Sequence, residues 1–586
     1  MPDRRWDPAR RGWRLLLALA LLGPAAPVRA QGLHELLAAQ VRAGNATVRI
    51  EADRPGKCGF GPAVAVIGAL GRGASAVQDE RPTDLDRSFP SPGGFFLLHY
   101  TDTGTDAVPS EDVSGTIGVP DFIEAAAAAF DSVLAGYRAL GWTDPIGDGD
   151  ACYDVYFKDW VQQQYLFGVT WPAPPYRTTP PYQTASWMEL DNDYPTWFYG
   201  HPPLTSLRVT FAHEFHHAIQ LAHNLNVFDW DAYYLDYAWF AEASATFHEE
   251  VFYDGINDYR LYLPAFLNAP ELGLTSASGN HPYGAVLWPL YLEASEGPGA
   301  IRELWETMAD EGVSPQSAHH TFFTARGSVW DEAWREFTVW LLHTGSRADP
   351  LRYFEEGRDY PEVRIRTADS WPTQLTLPAL AVRYWRSSPD STRAGGALRV
   401  LPGLPSAWGA GLAGETLTVP QRVSTAGSPG RGAGVELLDW TAYEGVLGWA
   451  LTGANDTGHP DSLVSRSAEV ELDASDRLSE QQTDGASFRL FQNYPNPFRP
   501  VRDGQTHFVF RLETAGPVEL EVRSLGGARL WSHRFASVDP GLHFSADLGM
   551  GWDGRDSQGH PAPSGVYLIV GRAGGRTEVL KFSVLR

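Results

Sequence analysis

Arg208–Asn224 reads RVTFAHEFHHAIQLAHN. Within it, His213-Glu214-Phe215-His216-His217 satisfies H-E-x-x-H. On an α-helix, positions i and i+4 share one face, one turn apart, so His213 and His217 can reach one metal ion. Glu214 sits beside His213 and can face a water held at that ion, as a general base requires. Val209, Phe211, Ala212, Ala218, Ile219 and Leu221 supply apolar packing and predict a buried helix over about 206–224. Two helical histidines without a metal would look much the same, so the reading depends on a third donor.

Catalytic zinc takes three protein ligands and keeps a fourth position open. Two candidates compete for the third. His223 would complete H-E-x-x-H-x-x-G-x-x-H, the metzincin pattern, but Gln220 stands at its glycine. That glycine lets the chain leave the helix. With Gln220 the helix continues, which carries His223 about 9 Å beyond His217 and roughly 240° round. The other candidate is Glu242, in Tyr237–Glu250 (YAWFAEASATFHEE), a second expected helix over about 236–252. Two His and one Glu is the ligand set of thermolysin-like enzymes, the gluzincins. Ala241, Ala243, Ser244 and Ala245 are small enough for two helices to approach around an ion. Glu249 and Glu250 could substitute for it, but seven or eight residues further on their positions better suit supporting a ligand or facing solvent.

A tetrahedral oxyanion would need a further donor. Tyr283 and His281, in HPYG before the next helix, are candidates, and packing roles suit them equally. Acidic residues at Asp148-Gly149-Asp150 and Asp191-Asn192-Asp193 make Ca²⁺ a second candidate ion, although the spacing fits no EF-hand loop.

Outward from the motif, the chain divides by texture. The 586 residues are too many for one core. Residues 1–30 read as a signal peptide: a basic start, an apolar run Leu15–Leu22 too short to span a bilayer, and Val28-Arg29-Ala30 before cleavage. Residues 31–90 are an N-terminal segment or propeptide. Residues 91–347 place strands (near 93–100, 153–157 and 185–190) ahead of helices (121–140, the two above, and a helical region over 283–344), the order of an α+β domain. Residues 348–475 turn β-rich, sandwich-like from 376. Residues 476–487 are a polar linker, and 488–586 form a separate β module with strands near 507–512, 517–523, 566–571 and 578–584.

The formal charge of −25 falls to about −29 without the leader, which excludes nucleic-acid or anionic-membrane binding through bulk charge. The two cysteines, Cys58 and Cys152, predict a disulfide if the chain is exported.

Residues 91–347 resemble a group of secreted bacterial zinc metalloproteases. The resemblance rests on FFLLHYTDTGTDAV, GVPDFIEAAAAAFDSVL, YDVYF, FAHEFHHAIQ, WFAEASATF and the Trp/Phe-rich helices ending in HTG. It implies an α+β zincin-like catalytic domain followed by β-sandwich domains. One Zn²⁺ would be held by His213, His217 and, at the Trp-x-x-Glu position, Glu242. The implied activity is endopeptidase, a hydrolase acting on protein or peptide substrates. Ala243 departs from the glycine expected there. The C-terminal residues resemble an immunoglobulin-like module, similar to the flagellar-hook-capping type and to type IX secretion sorting domains. They carry Phe491–Phe498 (FQNYPNPF), Gly526-Gly527, Trp552–Asp556 (WDGRD), Ser564–Tyr567 (SGVY) and the ending KFSVLR. This implies secretion to the medium or the bacterial cell surface through a dedicated machinery. A different class stays open, a surface binding or adhesion protein whose zincin domain is inactive or structural. The sequence names no cleavage preference.

Overall fold

A computed structural model describes residues 56–70, 81–147, 149, 151–160, 166–367, 374–387, 395–402, 408–414, 421–423, 433–438, 446–453, 466–473, 488–494, 498–512, 514–545 and 548–586. The expected signal peptide, the linker 476–487, Asp148, Asp150 and Pro495–Pro497 fall outside them. The chain divides into two compact units: residues 1–266, 275–289 and 299–327, and residues 267–274, 290–298 and 328–586. No helix among the described residues is long and apolar enough to cross a membrane.

The first unit is built on a six-stranded mixed sheet ordered β1-β5-β6-β4-β3-β2. Its strands are β1 (Gly56–Cys58), β2 (Arg87–Pro90), β3 (Phe96–Tyr100), β4 (Tyr153–Lys158), β5 (Leu166–Arg177) and β6 (Gln183–Asp191). β3, β4 and β6 run parallel, while β5 is antiparallel to β6 and parallel to β1. Helix α1 (Phe60–Leu70) follows β1 directly. Helix α2 (Asp121–Ala139) is the crossover between the parallel strands β3 and β4. Its Phe130 stacks on Phe211 at 3.7 Å.

Helix α3 (Pro203–His223) carries the H-E-x-x-H stretch. It packs on β5, β6 and α2, and 17 of its residues from Ser206 onward are buried. That explains why it lacks a clean polar face. Pro202 and Pro203 set its start. Helix α4 (Ala238–Tyr253) packs against it. Ala238, Ala241, Ser244 and Ala245 are wholly buried, as close approach of two helices demands. The expected helical region over 283–344 is five separate helices, at His281–Gly284, Leu287–Glu296, Ala300–Glu311, Pro315–Ala325 and Trp330–Leu342. Gly297, Gly299, Gly312 and Gly327 adopt positive φ at the breaks.

The second unit holds the β-rich segments. Its strands form a four-stranded and a five-stranded sheet between residues 365 and 473. A three-stranded and a four-stranded sheet follow from residue 488. In the C-terminal block, Phe488, Phe508 and Phe510 of one sheet share a core with Val518, Leu520, Ile569 and Phe582 of the other, around Trp552. That is a two-sheet sandwich. The chain thus has mixed α and β structure first and β-sheet structure after it.

One buried histidine in the first unit makes stability depend on pH. His319 donates from Nδ1 to Pro315 O at 2.6 Å, and its Nε2 accepts from Trp288 Nε1 at 3.0 Å. Burial holds its pKa down at about 3. The folded value lies below the unfolded one, so the unfolded chain takes up the proton first and stability falls as pH drops below about 6.5. Between pH 7 and pH 5 this group alone should cost roughly 2 kcal/mol. Urea unfolding of the parent and of His319→Gln at both pH values should show a smaller acid loss in the variant.

Candidate metal centre

The site forms where α3 and α4 face each other below the end of β1. His213 and His217 point from one face of α3, and Glu242 comes from α4. All three are essentially inaccessible to solvent. His213 Nε2 lies 3.2 Å from His217 Nε2 and 3.2 Å from Glu242 Oε2. His217 Nε2 lies 3.5 Å from Glu242 Oε2. A fourth donor completes the group: Cys58 Sγ is 3.4 Å from His217 Nε2, and the four ligand atoms lie within 4.8 Å of one another.

The imidazole tautomers follow from their outer partners. His213 Nδ1 donates to Glu249 Oε1 at 2.7 Å. His217 Nδ1 donates to Gln220 Oε1 at 2.8 Å. The two Nε2 atoms therefore face the same point, 3.2 Å apart, an arrangement satisfied by a proton on one of them or by a metal ion between them. Zinc bonds of about 2.0–2.3 Å in a tetrahedron give edges of roughly 3.3–3.6 Å. The three edges among His213, His217 and Glu242, 3.2–3.5 Å, fit one face of that shape. Glu242 Oε1 is buried with no hydrogen-bond partner among the described residues. The donor set therefore suits a zinc ion.

Without an ion, protons on the imidazoles balance the buried carboxylates. Burial alone would lower His213, but its hydrogen bonds to Glu242 and Glu249 raise it to about 9. Burial alone would raise Glu242, but the charge of His217 and hydrogen bonds from both imidazoles pull it down to about 2. Burial, then the charges of Glu214 and Glu242, push the Cys58 thiol well up.

Glu214 is buried beside this group. Its Oε2 lies 2.8 Å from Thr170 Oγ1, which is equally close to the Glu214 carbonyl and can donate to one of them at a time. Gly168 on β5 makes room for Glu214: a Cβ there would stand 3.1 Å from Glu214 Cγ and from Thr210 Cγ2.

Around the donors stand Glu249 and Tyr283, which the sequence flagged, and Lys57, Gln220, Tyr233, Asp258 and Trp305, which it did not. Gln220, read only as the missing glycine, orients His217. Its Nε2 donates to Ala241 O and Ser244 Oγ, which fixes which end of the amide faces the ring. Trp305 Nε1 donates to the same Ser244 Oγ. Glu249 Oε2 accepts from Lys57 Nζ at 2.6 Å, and Asp258 holds the same ammonium at 3.1 Å. Tyr233 also stands here, on a π-helical turn Tyr233–Tyr237 just before α4. Its hydroxyl, like that of Tyr283, is buried without a partner among the described residues. Burial, then the charges of Glu242 and Cys58, raise both phenols. The Tyr283 ring lies 5.9 Å from that of His213.

Other expected residues lie elsewhere. His223 stays on the helix, with Nδ1 donating to Ile219 O at 2.8 Å and its ring edge-on to Trp142. His281 packs on Phe266. His216, the extra histidine of the motif, stacks on His248 at 3.9 Å, and burial holds His216 well below its usual value. Asp191 uses both oxygens on the Trp160 and Tyr194 amides, so it shapes a loop.

The expected Cys58–Cys152 disulfide is not formed. Neither thiol is in a disulfide. Cys58 ends β1, and Cys152 precedes β4, three strand positions away. That is roughly 14 Å across the sheet, twice the Cα reach of a disulfide.

Replacing Glu249 by Gln should weaken zinc binding about 10–100-fold, the usual effect of losing a carboxylate that orients a histidine ligand. Competition against a chromophoric chelator would measure it; unchanged affinity would remove Glu249 from that role.

No family model matches the chain, and no curated protein matches it. Solved structures give distant, partial likenesses. PorZ, a surface component of the type-IX secretion system of Porphyromonas gingivalis, is 14% identical with a TM-score of 0.14, over 30% of this chain and 22% of that one. A β-glucuronidase of Faecalibacterium prausnitzii is 11% identical with a TM-score of 0.13, over 35% of this chain and 36% of that one. A β-glucuronidase of Parabacteroides merdae is 9% identical with a TM-score of 0.15, over 34% of this chain and 27% of that one. The chain spans about a fifth to a third of the lengths of these proteins. At such TM-scores none of them carries an argument.

Proposed function

We propose that the first unit is a zinc-dependent endopeptidase, exported from the cell with the help of its C-terminal β module. One observation carries the proposal: two Nε2 lone pairs and a carboxylate oxygen converge at tetrahedral spacing beside a buried glutamate that is not one of them. His213, His217 and Glu242 would hold the ion. When bound, zinc supplies Lewis-acid polarisation of a carbonyl and acidifies water.

The chain's own residues do the rest. Glu214 accepts a proton at its carboxylate and delivers it to the departing amine. Thr170 keeps that carboxylate oriented through its hydroxyl. Glu249 and Gln220 hold the two imidazoles with Nε2 unprotonated. Tyr233 and Tyr283 stay phenolic at neutral pH and can donate to a developing oxyanion.

A structural zinc site in a surface-binding protein is the second reading. It is favoured by Cys58, which gives the ion four protein donors. Against it stands Glu214, whose buried carboxylate has no purpose in a closed structural site. To test the proposal, residues 31–586 are purified and their zinc counted, and casein hydrolysis is followed with and without a chelator. About one zinc per chain and chelator-sensitive hydrolysis are expected. No zinc in a folded sample would overturn it.

A further inference from the structure

Resting on that reading, we infer that Cys58 is a fourth, exchangeable ligand of the metal, and that β1 is an inhibitory strand lying where substrate must lie. The thiol is the fourth donor atom of the group, 3.4 Å from His217 Nε2 and within 4.8 Å of the other two. In a catalytic site the fourth position belongs to water.

The strand's placement says what it displaces. β1 pairs with β5 in parallel, Gly56 against Leu166 and Cys58 against Gly168. Gly59 continues the contact by donating its N–H to Gly168 O at 2.8 Å. Without β1, the start of β5 is an open sheet edge directly beside Glu214, the place where an extended peptide adds as a strand. The fit is close. A Cβ at Gly59 would stand 2.2 Å from Val169 Cγ2. The Phe60 ring lies flat on His217, with centroids 4.1 Å apart and planes at 13°. Lys57 is clamped by Glu249, the carboxylate that orients His213. Lys57, Cys58 and Phe60 thus engage both histidine ligands or their supports.

Opening needs only ligand exchange. With an ion held by His213, His217 and Glu242, a water would replace the Cys58 sulfur and the released thiolate would take one proton from solvent; nothing would be oxidised or reduced. β1 has three residues, whereas α1 is anchored in a core by Ala63 and Val66 against Val169 and Trp171. The strand can therefore leave β5 while the helix stays.

The test uses zinc-loaded protein of residues 31–586, with Cys58→Ala, Cys58→Ser and Cys152→Ser beside the parent. Zinc K-edge absorption reads the ligands, and casein hydrolysis reads the open site. In the parent and in Cys152→Ser, a sulfur scatterer at about 2.3 Å is expected. Both Cys58 variants should keep zinc, lose the sulfur and hydrolyse casein at least about tenfold faster, since rate follows the fraction of open sites. Bound zinc without sulfur in the parent would overturn the inference and leave the peptidase reading standing. So would sulfur that persists in the Cys58 variants. Sulfur in the parent with no gain of hydrolysis in either Cys58 variant would make the site closed and structural, and would overturn both. A parent that binds no zinc fails at the metal site itself, and the inference falls with it.

Discussion

Glu214→Gln is expected to retain zinc and to lose peptide hydrolysis by roughly 10²–10⁴-fold, the range that a positioned general base contributes. The reasoning is geometric. Glu214 follows His213 on α3, and its Oε2 is held by Thr170 Oγ1 at 2.8 Å. Glutamine keeps the shape, still accepts from that hydroxyl, and cannot take a proton at neutral pH. Its side chain is outside the donor group, so metal content should not change. The comparison is best made with Cys58→Ala in both proteins, so that a closed thiol does not mask the loss. Zinc retained with hydrolysis within about threefold of the control would remove Glu214 from the chemistry, because such a change is under 1 kcal/mol of barrier. A role in folding alone would instead lower zinc content and hydrolysis together. This variant therefore separates the enzyme from the structural zinc protein more sharply than chelation does.

The grouping of the two histidines was legible in the sequence because it is local. His213, Glu214 and His217 lie within five residues, and helix geometry alone puts both imidazoles on one face. Glu242 was reachable because small residues around it promised a close helix pair. Of the supporting residues, Glu249 was legible from its position beyond Glu242, and the rest were not, since they depend on tertiary neighbours. Gln220 looked like a departure from a pattern, yet it faces His217 only because α4 presents Ala241 O and Ser244 Oγ to its other end. Cys58 invited pairing with Cys152 because sequence gives no register, whereas the sheet order separates them by three strands. Strand β5 was missed for a similar reason. Its Pro172, Pro174 and Pro175 fall beyond the short stretch that pairs with β1, where the missing N–H groups cost no ladder bonds on that side. The exposed strand Arg529–Val538 lacks the apolar run that marked its neighbours, and its pairing with Gly516–Ser524 supplies what its composition does not.

The second large effect is Glu242→Ala, and its size depends on Cys58. In the parent, removing the carboxylate leaves His213, His217 and Cys58, a set that still offers three donors. With Cys58→Ala as well, two imidazoles remain, and they must share a buried space with their Nε2 atoms 3.2 Å apart. The two losses should therefore be non-additive, as expected for groups bound to one centre. Glu242→Ala alone should weaken zinc beyond the roughly 10–100-fold of an outer-shell change, and the double variant should bind too weakly to copurify with the ion. His223→Ala, whose imidazole is turned toward Ile219 O and Trp142, should keep zinc within about twofold. Thermal unfolding gives an independent reading. Zinc at about 100 times its dissociation constant stabilises the folded chain by roughly 2.7 kcal/mol. The parent and His223→Ala should show that zinc-dependent rise in Tm, and the double variant should not. If the double variant kept its zinc and its Tm shift, the ion would be held by other residues, and the donor group of His213, His217 and Glu242 would no longer be the metal centre.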